Sequence, residues 1–111
     1  MSTADAPGTG VAGTWSLTIA TPIGRLPVTL VLGYETGVLT GAATGRDETV
    51  PLTDIAAVAE PGGVRLTWRQ VISRPMRLNL NFDVLVSGAA MAGYSRAGRL
   101  PRSAVTGVRG Q

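Results

Sequence analysis

GTWSLTIATP, residues 13–22, decides how the rest of the chain is read. Trp15, Leu17 and Ile19 alternate with Ser16 and Thr18, so an extended backbone would carry an apolar face and a wettable face. The run stops at Thr21-Pro22-Ile23-Gly24, residue types that punctuate turns. Trp15 is one of five aromatic residues among 111, and it stands on the first beat of this first strand.

Working outward, the same two-residue period recurs and helical periodicity is sustained nowhere. Leu26 to Tyr34 sets Val28, Leu30 and Leu32 against Thr29 and Val31. Glu35-Thr36-Gly37 then turns it into Val38 to Ala43, the clearest hairpin in the chain. Thr44-Gly45-Arg46-Asp47 leads into Thr49 to Leu52, where Pro51 signals a strand end, a bulge or an edge. Ile55 to Ala59 fits either a brief helical turn capped by Asp54 or a strand fragment. After Pro61-Gly62-Gly63, Val64 to Val71 sets Val64, Leu66 and Trp68 against Arg65, Thr67 and Arg69. Ser73-Arg74-Pro75 connects to Met76 to Val86, in which Leu78, Leu80, Phe82 and Val84 oppose Arg77, Asn79, Asn81 and Asp83. Ala90 to Arg96 and Ser103 to Arg109 complete the set.

About eight short strands, each with one apolar face, are the pattern of an all-β protein. An antiparallel up-and-down barrel would bury every apolar face in one interior and leave no free edge. Alternation alone does not show closure, so an open sandwich fits the same pattern. Residues 1–12 read as a flexible lead-in and residues 13–111 as a single β-barrel domain.

Composition removes whole classes of chemistry. The chain has no Cys and no His, so thiol nucleophiles, thiolate or imidazole metal sites and a Ser-His-Asp triad are excluded within it. No metal and no cofactor is expected. The net charge of +3 rests on ten Arg with no Lys, a usage that, beside abundant Ala, Gly and Val, matches GC-rich coding of the actinobacterial kind. MSTADAPGTG has neither the basic start nor the apolar run of a signal peptide, and no stretch approaches a membrane span. The expectation is a soluble, cytoplasmic protein.

Gly13-Thr14-Trp15 at the head of the first strand and Arg109 near the end of the last resemble the calycins, the lipocalins and avidins among them. Gly37-Val38-Leu39-Thr40-Gly41 is similar to the turn and strand after the first hairpin of avidin-like barrels. The resemblance implies that Trp15 plugs one end of the barrel with Arg109 lying over its indole, a structural pair, and that the interior takes a small ligand. In size and inferred source the chain also resembles the lipocalin-like, cofactor-free cyclases of actinobacterial polyketide pathways, which perform Diels–Alder closures. It lacks the Trp cluster with which avidins enclose biotin and the Arg-and-Tyr carboxylate clamp of fatty-acid-binding proteins.

An eight-stranded barrel is just wide enough to be filled by side chains or to hold one small ligand. Small residues on inward faces, Gly41, Ala43, Gly93 and either Ala104 or Gly107, point to free space. The expected wall is Leu30, Gly41, Leu66, Trp68, Gln70, Leu80, Phe82, Met91 and Gly93, with a filled core as the competing reading. Gln70, on the Trp68 face, is the polar group best placed to orient a ligand. Tyr94, Ser95, Glu35 and Asp83 are further polar candidates, though period-two counting puts Tyr94 opposite Met91 and Gly93.

The first function expected is binding of a small apolar or amphipathic molecule. The alternative is a cofactor-independent cyclase or isomerase in the same cavity, with no assigned catalytic residue and with rate supplied by a fixed reactive conformer. A third class, nucleic-acid binding through Arg65, Arg69 and Arg77, is disfavoured because the outward face lacks stacking aromatics other than Tyr94. Val31, Ala92 and Tyr94 on outer faces leave room for a homodimer.

Overall fold

Each apolar beat points into one interior. The computed structural model describes residues 9–21, 24–46, 48–73 and 77–110. Nine strands follow one another: β1 (Gly13–Thr21), β2 (Gly24–Glu35), β3 (Val38–Thr44), β4 (Thr49–Pro51), β5 (Thr53–Glu60), β6 (Gly63–Ile72), β7 (Leu78–Ser87), β8 (Ala90–Ala97) and β9 (Ser103–Arg109). They form a single antiparallel sheet in the order β4-β3-β2-β1-β9-β8-β7-β6-β5. The first and last strands are therefore neighbours, with Trp15 opposite Arg109. A nearly closed up-and-down barrel results, compatible with the calycin architecture, in place of the two separate sheets of a sandwich.

The strand count exceeds eight because of how the barrel closes. Both edges of the sheet, β4 and β5, belong to one run of chain that breaks at Leu52. Before the break it pairs with β3, and after it with β6. Leu52 N–H donates to Gly41 O at 2.9 Å, the register slips between Thr53 and Ala56, and Asp54 takes a positive φ of 52°. Asp tolerates that left-handed conformation better than most side chains. The ambiguous Ile55 to Ala59 segment is thus strand, and Asp54 marks a bend rather than a helix cap. At the far end of the same seam, Glu48 accepts from Ser73 N–H and Oγ, both at 2.8 Å.

The hairpin expected at Glu35-Thr36-Gly37 forms as a tight turn with φ of 50° at Thr36 and 82° at Gly37, the two positive values that a type I′ connection needs. The packed chain also begins earlier than the G-T-W motif. Thr9–Val11 forms a 3-10 turn and Val11 is fully buried. The lead-in expected over residues 1–12 lies outside the described residues as far as residue 8. So do Pro22, Ile23, Asp47 and Arg74 to Met76, and β7 is described only from Leu78. Among the described residues no helix is long and apolar enough to cross a membrane.

Of the small residues expected to leave space, Ala43 lies on a cavity, but the inward glycines do not leave any. A Cβ at Gly41 would stand 2.7 Å from Val31 O and 2.9 Å from Leu32 Cδ2. At Gly107 it would meet Leu17 Cδ2 and Met91 Cγ, and at Gly93 it would overlap Asp83 O and Val84 Cα. Gly93 lets β7 and β8 approach, and the volume its missing side chain frees is already taken. Ala104, the alternative to Gly107, faces outward.

Gly93→Ala is expected to lower stability by about 1–3 kcal/mol, the usual cost of overpacking, seen as a lower urea midpoint. Gly45→Ala, with nothing within 4 Å of the new Cβ, should stay within about 0.5 kcal/mol of the parent.

Candidate functional site

The two ends of the barrel are built differently. At one end Trp15 and Val11 are fully buried, and Trp15 Nε1 donates to Val11 O at 2.8 Å. The Arg109 guanidinium lies 4.5 Å from the indole ring centre. Such a stacked cation contributes about 0.5–2 kcal/mol, more where water is excluded. Arg109 also donates to the carbonyls of Ala12 and Gly10, and to Gly88 O at 3.1 Å. The Trp15–Arg109 pair therefore exists, with its polar atoms turned to backbone, and it seals this end.

Above the plug the barrel is filled. Leu30, Leu66, Trp68, Phe82, Val84, Met91 and Val105 are all at most 3% exposed. Trp68 and Phe82 face each other across β6 and β7 as stacked rings, 4.6 Å between centres and 6° between planes. An offset stack of this kind adds about 0.5–1.5 kcal/mol to the burial itself.

The other end is hollow. A cavity of about 700 Å³ opens there, walled by Ile19, Val28, Ala43, Ile72, Leu78 and Leu80, with Gln70 and Ser95 also on its lining. Of the nine expected wall residues, Gln70 and Leu80 lie on this cavity. Leu30, Leu66, Trp68, Phe82 and Met91 stand in the filled part, and Gly41 and Gly93 are close backbone approaches. Period two gives the face of a strand and not the depth along the barrel. The missed residues continue the same faces one or two steps away from the plug: Ile72 beyond Gln70, Leu78 before Leu80, Ala97 beyond Ser95. The usable signal was the Trp15–Arg109 pair, since plugging one end sends any cavity to the other.

Among the described residues Gln70 and Ser95 are the two buried polar side chains, each 4% exposed. Trp68 Nε1 donates to Gln70 Oε1 at 3.0 Å. The indole N–H can only donate, so the atom it meets must be the amide oxygen, and the amide NH2 takes the other branch. No protein acceptor is described for that NH2, nor any partner for Ser95 Oγ. Among the described residues no fully enclosed side-chain polar atom lacks a partner. The Gln70 amide consequently opens onto the cavity, while Ser95 borders both the cavity and a shallow outer depression; the other polar side chains on the cavity lining are Thr21, Arg46, Glu48, Arg102 and Ser103.

The remaining polar candidates face elsewhere. Glu35 ends β2 beside the first hairpin turn and is exposed. Asp83 and Tyr94 are cross-strand neighbours on the outer surface. Arg65 bridges Glu60 at 2.9 Å and Asp83 at 2.6 Å, hydrogen bonds that raise its already high pKa, Glu60 more than Asp83. Arg69 meets Asp54 at 3.2 Å and the Arg102 guanidinium covers the Tyr94 ring at 4.2 Å. Asp54, Arg69, Asp83, Tyr94 and Arg102 border a shallow outer depression of about 420 Å³. Two arginines of the expected basic face are thereby paired with carboxylates, and its one aromatic ring is already stacked. No group of three or more Asp or Glu able to hold a metal is present among the described residues.

Gln70→Leu should lower stability by about 1–3 kcal/mol, because the buried Trp68 N–H loses its acceptor. Thermal or urea unfolding checks this, and Ser95→Ala, which strands no donor, is expected to cost less.

With this geometry in view, no protein-family model, curated protein or solved structure matches the chain.

Proposed function

We propose that this chain binds one small, largely apolar molecule in the open half of its barrel and orients it through an acceptor oxygen. The observation that carries the reading is the Trp68–Gln70 hydrogen bond beneath an apolar cavity of about 700 Å³. That volume falls within the usual range for small-molecule sites, which combine apolar walls with a few placed polar groups. A core glutamine that served only Trp68 would need its oxygen alone. Here the opposite branch delivers two N–H donors to the cavity beside the Ser95 hydroxyl, and a carbonyl or ether oxygen is the partner for such a pair.

The same donors favour one catalytic reading. A carbonyl held by Gln70 and Ser95 would be polarised while the walls fix the conformation of the rest of the molecule, which suits a cofactor-free cyclisation or isomerisation. The resemblance to calycins rests on barrel architecture with the Trp15 and Arg109 positions, and that to the lipocalin-like cyclases, which belongs to this reading, rests on barrel size and inferred source alone.

Prodan, an apolar naphthalene carrying a ketone, tests the binding. Its fluorescence should saturate at one molecule per chain, and Val28→Trp, which projects an indole into the cavity, should remove most of the signal while the protein stays folded. Gln70→Leu and Ser95→Ala should each weaken binding about three- to tenfold, the worth of one hydrogen bond, and shift emission to the blue as the ketone loses a donor. Absence of saturable binding by the folded parent would refute the proposal.

A further inference from the structure

We infer that the ligand is an anionic amphiphile, with its apolar body in the cavity and its anionic group at the mouth between Arg46 and Arg102. The inference rests on the binding reading above and adds the chemical class. Both arginines lie on the cavity lining at its open end, Arg46 in the β3–β4 connection and Arg102 in the β8–β9 connection. Arg25 at the start of β2, Arg77 ahead of β7 and Arg99 belong to the same end.

What separates these arginines from those on the barrel wall is their partners. Arg65 and Arg69 are in ion pairs with Glu60, Asp83 and Asp54. Among the described residues, none of the five at the mouth forms an ion pair. The carboxylate described on the cavity lining, Glu48, is turned to the end of β6, where Ser73 donates to both of its oxygens. Arg102 lines both the cavity and the outer depression, and its guanidinium is held at the boundary between them by stacking on the outward ring of Tyr94. Arg96 Nε–H donates to Leu100 O at 3.1 Å, fixing the loop that carries Arg102. A planar guanidinium anchored through its face keeps its N–H edge for an anion.

Between the arginines the mouth also carries apolar side chains. Leu26 and Leu100 are 45% and 56% exposed and border the opening with Pro27 and Pro101. Moving outward, the site presents two neutral donors at its floor, an apolar wall, an apolar rim and then unpaired positive charge. A molecule that satisfies each zone in turn has an acceptor oxygen deep inside, an apolar middle and a carboxylate, sulfonate or phosphate end at the surface.

Two fluorophores that differ by a single sulfonate isolate the claim: N-phenyl-1-naphthylamine, which is neutral, and 8-anilinonaphthalene-1-sulfonate. At low ionic strength the sulfonate should bind about tenfold more tightly, and about 0.5 M salt should remove most of that advantage by screening. Arg46→Gln and Arg102→Gln should each weaken the sulfonate about threefold and leave the neutral probe unchanged. Arg65→Gln on the outer wall should alter neither. Equal binding of both probes with indifferent arginine variants would overturn the anionic class and leave the cavity reading standing. Failure of both probes to bind the folded protein would overturn the cavity reading itself. Sulfonate binding that survives Val28→Trp would place the probe outside the barrel and also overturn the inference.

Discussion

One clamp sets the polarity of this barrel. The Arg109 guanidinium covers Trp15 and donates to backbone carbonyls of Gly10, Ala12 and Gly88, joining the last strand to the N-terminal turn, the first strand and the β7–β8 turn. The neighbouring backbone reinforces it through Gly110 N–H to Thr14 O at 2.6 Å and Arg109 N–H to Ala89 O at 2.8 Å. A barrel of this circumference has room for side chains or for one small ligand. Because one of the two tryptophans occupies one end, the bulky core residues stack above it and free volume collects at the other. Asymmetry between a sealed end and an open one thus follows from the position of one indole.

The second constraint is polar. In a low-dielectric interior an indole N–H without an acceptor is costly, and Trp68 meets its need through Gln70. Satisfying the indole fixes the amide orientation, and that orientation puts donors on the cavity. One side chain thus joins the stacked Trp68–Phe82 floor to the cavity above it. At the mouth the logic reverses. Arg65 and Arg69 along the wall are paired with nearby carboxylates, while among the described residues those around the opening are in no ion pair.

Much of this was legible in residue order. The alternation of Trp15, Leu17 and Ile19, repeated through Leu66, Trp68 and Gln70, identified the inward faces, and the Trp15–Arg109 pairing followed from their places on the first and last strands. Closure was less legible, because the bend at Leu52 depends on a change of hydrogen-bond partner from β3 to β6 that leaves no mark in the hydrophobic pattern beyond Pro51 and Asp54. Depth along the barrel was not legible. Gly41, Gly93 and Gly107 look alike in sequence whether they leave a void or admit a neighbour, and only the position of Val84, Leu32 or Leu17 against them shows that they admit one. Ser95 was visible as an inward residue two steps past Gly93, but its unused hydroxyl emerges only when its neighbours are placed.

The division into a filled half and a hollow half is tested most directly by methyl-resolved NMR during titration with N-phenyl-1-naphthylamine. Methyl resonances of Ile19, Val28, Ile72, Leu78 and Leu80 should shift with saturation at one probe per chain, while those of Leu17, Leu66, Val84 and Val105 stay in place. Shifts centred on the second group, or shifts confined to outward methyls such as Val31, Val58 and Val108, would contradict a cavity at the open end.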